Sequence, residues 1–115
     1  MTKVVRETED ILEKTVIHTV LCAMDAALSD FDSKDVVRYL KSMLSPVEPD
    51  MCDKIENYAI MWSINGNQWL QEWKYHPRGM EDQWTQRDTD NLAALNAARQ
   101  KALLPLSRLR DGFRD

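Results

Sequence analysis

Four side chains of this sequence are of the types that bind zinc or act as nucleophiles: His18, Cys22, Cys52 and His76. Two nitrogen and two sulfur ligands suit tetrahedral zinc. His18 and Cys22 stand four residues apart, so one helix would place both on the same side. Cys52 and His76 are isolated, with no Cys-x-x-Cys or His-x3-His pair beside them. We therefore predict no metal and no cofactor, and interpret Cys22 as a packing residue.

The same His18–Cys22 pair raises the question of a Cys–His nucleophile. Such a site also needs an oxyanion hole and a third group that orients the base. The sequence contains no Gly-rich loop, no Gly-x-Ser-x-Gly turn and no Walker-type lysine. It predicts a protein that is not an enzyme.

Aromatic residues are concentrated in one stretch, because all four tryptophans lie between positions 62 and 84. Trp62 and Trp69 are predicted to be core residues, since large rings fill a small domain efficiently. Trp73, Tyr75 and Trp84 stand among charged residues. Because Trp, Tyr and Arg dominate binding hot spots, these three are candidates for contact with a partner.

The last 17 residues are basic, with a net charge of +3 over positions 99–115. Four of their cations complete the candidate partner-binding set: Arg99, Lys101, Arg108 and Arg110. Leucines alternate with them, so the segment could dock on a partner helix. The alternative is a solvated C-terminal helix whose cations face the negative end of its dipole.

The elements that must position these residues are mainly helical. The sequence has 115 residues, 43% of them apolar, with only 3 Gly and 4 Pro. We predict a single domain over residues 1–115, with helices at about 7–28, 33–45 and 90–104 and a basic tail over 99–115. The first helix is strongly amphipathic. Its apolar face comprises Val16, Ile17, Val20, Leu21, Met24 and Leu28.

Residues 54–75 allow two interpretations. Asn65-Gly66 is a strong signal for a β-hairpin, and Trp62 would then face Trp69 across the two strands. Alternatively, Asn65-Gly66 separates two short helices. We favour the hairpin, which would make the fold α+β rather than all-helical.

Charge and composition exclude several protein classes. The net charge of −4 disfavours nonspecific binding to nucleic acid. No apolar run approaches the roughly 20 residues of a membrane span, and the first ten residues are too charged for a signal peptide. Two cysteines do not make a disulfide framework, so we expect a cytoplasmic protein with reduced thiols.

The stretch from Trp84 to Leu106 resembles the C-terminal part of small tailed-phage assembly proteins, which implies a phage or mobile-element accessory protein. Together these observations predict a non-enzymatic protein-binding module: an inhibitor, adaptor or assembly chaperone acting by occlusion or scaffolding. The expected partner is another protein, with homodimerisation possible. The alternative is a dimeric DNA-binding regulator that uses the first two helices, with Lys34, Arg38 and Lys41 facing phosphates. A small enzyme and a zinc-binding protein are the remaining alternatives.

Overall fold

The computed structural model describes residues 2–42 and 44–114, with side chains from residue 6 onward. The elements in order are α1 (Thr2–Leu28), α2 (Ser33–Leu40), α3 (Pro49–Met61), a 3-10 helix (Gly66–Leu70) and α4 (Gln86–Arg114). The residues described here include no β-strand. The prediction of a mainly helical fold is therefore confirmed.

The favoured β-hairpin at Asn65-Gly66 is wrong, and the interpretation as short helices is correct. A type I′ turn needs positive φ at both central residues. Gly66 has a φ of +60°, but Asn65 is extended at −157°. The two residues instead contact the α1–α2 loop: the Asn65 side-chain oxygen accepts the Ser33 N–H at 2.7 Å, and the Gly66 N–H donates to the Phe31 carbonyl at 3.0 Å. These long-range bonds outweigh the local turn preference.

Helix α3 ends in a Schellman motif, which could not form if this segment were a strand of the predicted hairpin. Ser63 adopts a left-handed conformation with a φ of 51°, and the Ile64 N–H donates back to the Ala59 carbonyl at 2.9 Å. Helix α1 ends in the same way, with Asp30 at a φ of 54° and the N–H of Phe31 bonded to the preceding turn. In both motifs the apolar residue after the turn is buried, which fixes the direction of the chain.

Helix α2 is shorter than predicted, ending at Leu40 instead of residue 45. The Ser42 hydroxyl donates to the Tyr39 carbonyl at 2.7 Å, and the Ser45 hydroxyl donates to the Leu40 carbonyl at 2.8 Å. These side chains take backbone acceptors that a continuing helix would use.

Helix α4 is longer than predicted at both ends. Thr85 and Asp88 form reciprocal bonds typical of a capping box, which begins the helix at Gln86. The helix then continues through Pro105. Pro105 removes one intrahelical bond, to the carbonyl of Lys101. Both residues are exposed, so water can satisfy that carbonyl.

The chain is elongated. Its dimensions are 60 × 37 × 18 Å and its radius of gyration is 16.5 Å, against about 13 Å for a compact chain of this length. Its accessible surface is 7973 Å², whereas a compact monomer of the same mass exposes about 6500 Å². The fold therefore leaves about 1500 Å² more surface uncovered than expected.

Candidate functional site

Helix α1 turns its large apolar side chains towards solvent. Val16, Ile17, Val20, Leu21 and Leu28 are between 49% and 65% exposed. At 3.6 residues per turn they form one continuous face, which we call the α1 stripe. The sequence predicted this amphipathic face, with Met24 as a further, partly buried member.

The opposite side of α1 carries small side chains, and this is the side that faces the core. Cys22 and Ala26 are buried in the main cluster, with Ala23 packed against it. Helix α1 makes its contacts chiefly with α2 and α4. Small side chains allow neighbouring helices to approach closely. The helix is thus anchored without using its own large apolar residues.

The stripe continues into a charged surface towards the start of the helix. Glu9, Asp10 and Glu13 are exposed. Among the side chains that the structure describes, no cation lies within ion-pair distance of these three carboxylates. Each precedes a stripe residue by seven positions and therefore lies on the same side of the helix. The exposed Lys14 does the same, seven positions before Leu21, so the charges on this side are mixed.

A second cluster, the aromatic block, joins α3, the 3-10 helix and the segment before α4. Its members are Tyr58, Trp62, Trp69, Trp73 and Tyr75. Tyr58 stacks on Trp73 with ring centroids 4.8 Å apart, and Trp62 stacks on Tyr75 at 4.7 Å. The Trp69 and Trp73 rings meet edge to face at 5.6 Å. Such pairs add to the stabilisation that burial provides.

Most polar tips of the block are bonded inside the chain. The Tyr58 hydroxyl donates to the Tyr75 carbonyl at 3.0 Å, and burial raises the pKa of Tyr58 to about 12. The indole N–H groups of Trp62 and Trp73 donate to the carbonyls of His76 and Gln68. These bonds fasten the irregular segment 71–77 to the helices.

Two of the seven predicted partner-binding residues lie inside the fold. Trp73 and Arg99 are each 3% exposed. The Arg99 guanidinium donates to the Trp69 carbonyl and to the Asn96 side chain, both at 3.2 Å, and lies 5.8 Å from the Trp73 ring centroid. Burial lowers the pKa of Arg99. Both side chains therefore make contacts inside the folded chain and are not accessible to a partner.

A third predicted residue, Arg110, uses its guanidinium for contacts within the chain. Its guanidinium lies 4.4 Å from the Phe31 ring centroid and donates to the Asn67 side chain at 3.3 Å. Arg114 ends the helix with a 2.7 Å ion pair to Asp30. The end of α4 is thereby bound to the α1–α2 loop.

The other four predicted residues are on the surface. Tyr75 and Trp84 are about half exposed, and Lys101 and Arg108 are exposed on α4. Their role in binding stays a prediction.

The buried pair His76 and Asp88 connects the loop to the start of α4. The Arg78 side chain donates two bonds to Asp88, at 2.8 and 3.0 Å. This guanidinium and the Thr85 N–H lower the pKa of Asp88. Both ring nitrogens of His76 are occupied: Nδ1 accepts the Arg78 N–H at 3.0 Å, and Nε2 therefore donates to the Gln83 carbonyl at 2.8 Å. His76 is a structural histidine here.

The two members of the candidate nucleophile pair are close together. His18 Nε2 and Cys22 Sγ are 3.6 Å apart, and burial raises the pKa of the Cys22 thiol, which disfavours the thiolate. Cys52 bonds to the Leu40 carbonyl at 3.0 Å. Within the described ranges, no three His, Cys, Asp or Glu side chains are grouped as a metal site would require.

Sequence reasoning missed Asn96, which links the aromatic block to α4. Its side chain accepts the Trp73 N–H at 2.8 Å and donates to the Trp73 carbonyl at 2.9 Å. No local pattern marks a mid-helix asparagine as a long-range partner. The Thr85–Asp88 capping box, by contrast, had a signal in its three-residue spacing.

No family model matches this chain. It is similar to bacterial proteins that are all named as the same subunit of an ATP-dependent helicase/deoxyribonuclease. It is 31% identical to that of Moorella thermoacetica over 101 residues, and 28% identical to those of Clostridium acetobutylicum and Desulforamulus reducens over 107 and 102 residues. These matches cover 86%, 90% and 84% of this chain. The chain spans about 9% of the length of each relative.

These relatives overturn the predicted function. They are named as subunits of a DNA-processing enzyme, so the interpretation as an inhibitor, adaptor or assembly chaperone is wrong. The alternative of a dimeric transcriptional regulator is wrong on the same finding. The prediction that the chain is non-enzymatic is wrong for the same reason, although the matched stretch is a small part of each relative.

The resemblance of Trp84–Leu106 to tailed-phage assembly proteins was also misleading. That stretch is an Ala- and Leu-rich helix, a composition that many unrelated helices share because it has a high helix propensity. Within the described residues, no helix is both long and apolar enough to cross a membrane.

Proposed function

We propose that this chain is a helical part of an ATP-dependent helicase/deoxyribonuclease subunit, and that it acts as a rigid spacer there. The observation that carries the proposal is a similarity over 80–91% of the chain to relatives that share this name. A relationship that runs through nearly the whole chain favours a shared fold and a shared place within the larger protein.

The use of the buried polar side chains supports a structural role. Each of three buried side chains bonds to the chain's own backbone: His76 to the Gln83 carbonyl, Asp88 to the Thr85 N–H and Arg99 to the Trp69 carbonyl. Each restrains a segment against α4. These bonds support a role for this stretch in keeping its part of the enzyme in a fixed shape.

The two long helices give the spacer its length. Helices α1 and α4 have 27 and 29 residues, or about 40 and 44 Å at 1.5 Å per residue. Direct packing of α1 against α4 and the bond of Arg114 to Asp30 keep them in a fixed relation. Such an element would hold neighbouring parts of the polypeptide at a constant separation while ATP-driven movements occur elsewhere.

The partner in this proposal is protein, namely the remainder of the helicase/deoxyribonuclease polypeptide. The exposed Tyr75, Trp84, Lys101 and Arg108 are candidates for contact with it. DNA is a further candidate for Lys101 and Arg108, which lie seven residues apart on one side of α4. Binding of DNA through them would weaken steeply with added salt.

A chimera tests the proposal. The 101-residue segment of the Moorella thermoacetica protein that matches this chain is replaced by the chain. The chimera is assembled into its enzyme, and ATP-dependent degradation of linear duplex DNA is measured. We expect activity to be retained.

The control replaces the same segment with a flexible Gly/Ser linker of equal length, which should abolish activity because it cannot hold a fixed separation. A chimera that is folded by gel filtration yet as inactive as the linker version would overturn the proposal.

A further inference from the structure

One buried residue, His76, contacts both ends of the loop that joins the aromatic block to α4, which we call the 77–84 loop. Near the start of the loop, ring Nδ1 accepts the Arg78 N–H at 3.0 Å. At its end, ring Nε2 lies 2.8 Å from the Gln83 carbonyl, and the ring centroid lies 4.5 Å from that of Trp84. The loop is therefore closed around the imidazole of His76.

The middle of the loop is open to solvent. Met80 is 94% exposed, and Glu81 and Asp82 are also exposed. A further attachment of the loop is the Arg78 guanidinium, which donates two bonds to Asp88. Segments with few buried apolar contacts open locally at a lower cost than the core. The contacts at the two ends of the loop therefore decide whether it stays closed.

The bonds of the imidazole fix its charge in the closed loop. The Arg78 N–H is a donor, so Nδ1 must be an unprotonated acceptor and the single ring proton must lie on Nε2. A proton added to Nδ1 would point at this N–H, and two donors would then face each other. The His76 side chain is 4% exposed, so water cannot replace the lost bond while the loop is closed. The closed loop therefore requires the neutral imidazole.

The charged groups nearest the ring do not offset this conflict. Asp88 Oδ2 lies 3.4 Å from Nε2, the nitrogen that already carries a proton. The same carboxylate is neutralised by the two bonds from Arg78 and accepts the Thr85 N–H as well. A charged imidazole would have the Arg78 guanidinium as a neighbour of like charge. Helix α3 is followed here by the uncharged Trp62, whose indole donates to the His76 carbonyl.

The remaining titratable side chains around the loop are exposed to solvent, which screens their charges. They belong to the segment before it, to the loop itself and to the first turn of α4: Glu72, Lys74, Tyr75, Glu81, Asp82 and Arg87.

We propose that the 77–84 loop is a pH-sensitive element, which is closed while His76 is neutral and is released when this ring takes up one proton. Histidine is the side chain whose charge ordinarily changes between about pH 5 and about pH 8. The open loop binds one proton more than the closed loop, so closure is favoured as the pH rises and is lost as it falls. Release would expose the imidazole and the face of Trp84 that packs on it.

Nuclear magnetic resonance of the chain tests the inference. The imidazole nitrogen shifts report the charge and tautomer of each histidine between about pH 8 and about pH 5, and contacts between the rings of His76 and Trp84 report closure. At the upper pH we expect a neutral ring with its proton on Nε2, in contact with Trp84. As His76 becomes charged, the ring contact should be lost, and the protection of the Arg78 amide from hydrogen exchange should fall about tenfold or more.

Two results would overturn the inference. The first is a charged His76 that keeps both its contact with Trp84 and the protection of the Arg78 amide. The second is a ring that stays neutral until the whole chain unfolds, which is detected by exchange of the amide of Ala102, a fully buried residue of α4. Both are read from the original chain, so the decision does not depend on a variant.

Two variants separate His76 from other effects of acid. His76→Asn cannot take up this proton but keeps an oxygen acceptor near the position of Nδ1, so the Arg78 amide should stay protected over the whole pH range. His18→Gln is the matched control, because it removes the exposed histidine of α1 and should leave the response to pH unchanged. A response that persists in His76→Asn, or that disappears in His18→Gln, would assign it to another group and contradict the role of His76.

Discussion

The α1 stripe and the aromatic block are both built from large apolar side chains, yet they stand in opposite environments. Trp69 and Tyr58 in the block are at most 2% exposed, whereas Leu21 and Val20 in the stripe are about half exposed. The side chains of the block are buried within this chain, whereas those of the stripe are exposed. Apolar character alone therefore does not determine which residues form the core of this chain.

The difference has a physical basis in the side chains themselves. Tyr and Trp have polar tips, and the tips of Tyr58, Trp62 and Trp73 find carbonyl acceptors nearby in this chain. These directional bonds fix each ring in one place. Aliphatic residues of the stripe depend only on the area removed from water, and any apolar surface of suitable shape can provide it. The stripe can therefore be completed from outside.

The largest effect is expected from breaking the block at its centre. Trp69→Ala removes a fully buried ring and should lower the free energy of unfolding by about 3–5 kcal/mol, measured by urea denaturation. Trp84→Ala removes a ring that is 46% exposed and should cost less than about 1 kcal/mol. Similar losses of stability for the two variants would contradict the burial of Trp69 at the centre of the block.

A smaller effect is expected at Arg99, which links the block to α4. Arg99→Met keeps much of the side-chain volume but leaves the Trp69 carbonyl without this donor, while the Asn96 oxygen keeps the Trp73 N–H. We expect a loss of about 1–3 kcal/mol in the free energy of unfolding, measured by urea denaturation, since buried acceptors without a partner are costly. Unchanged or increased stability would show that the cost of burying the guanidinium exceeds the value of its bonds.

The next effect is a pH dependence that separates the block from the stripe, which contains no titratable group. Burial raises the pKa of Tyr58 from about 10 to about 12, so the folded state retains this proton more strongly than the unfolded state. The resulting stability is complete below pH 10 and is lost as the pH rises through 12. Tyr58→Phe should cost about 1 kcal/mol at pH 7 through its bond to the Tyr75 carbonyl.

Unfolding of Tyr58→Phe and of the original chain is compared between about pH 8 and about pH 12. The difference in their stability should shrink over the upper part of this range. A difference that stays constant throughout the range would place the hydroxyl in contact with water.

The sequence predicted the helices better than the contacts between them. The amphipathic pattern of the first helix has a local cause, so it could be recognised. The hairpin was a wrong choice because Asn65-Gly66 is held by bonds to Ser33 and Phe31, more than 30 positions away. Burial of Trp73 and Arg99 depends in the same way on bonds to Asn96 and to the Trp69 carbonyl, 23 and 30 positions away. Long-range bonds of this kind have no local signature.

The smallest effect is expected from a substitution in the stripe, and it is compared with the same substitution at a buried position. Leu21→Ala in the stripe should change the free energy of unfolding of the isolated chain by less than about 0.5 kcal/mol, because the side chain is 53% exposed and Ala favours the helix. Leu106→Ala, at a fully buried position, should cost about 2–5 kcal/mol. Both are measured by urea denaturation at several protein concentrations.

A large, concentration-dependent loss for Leu21→Ala would mean that the stripe is already covered by a second copy, since only association makes stability depend on concentration. A small loss at every concentration means that the chain does not use this apolar helix face for its own folding.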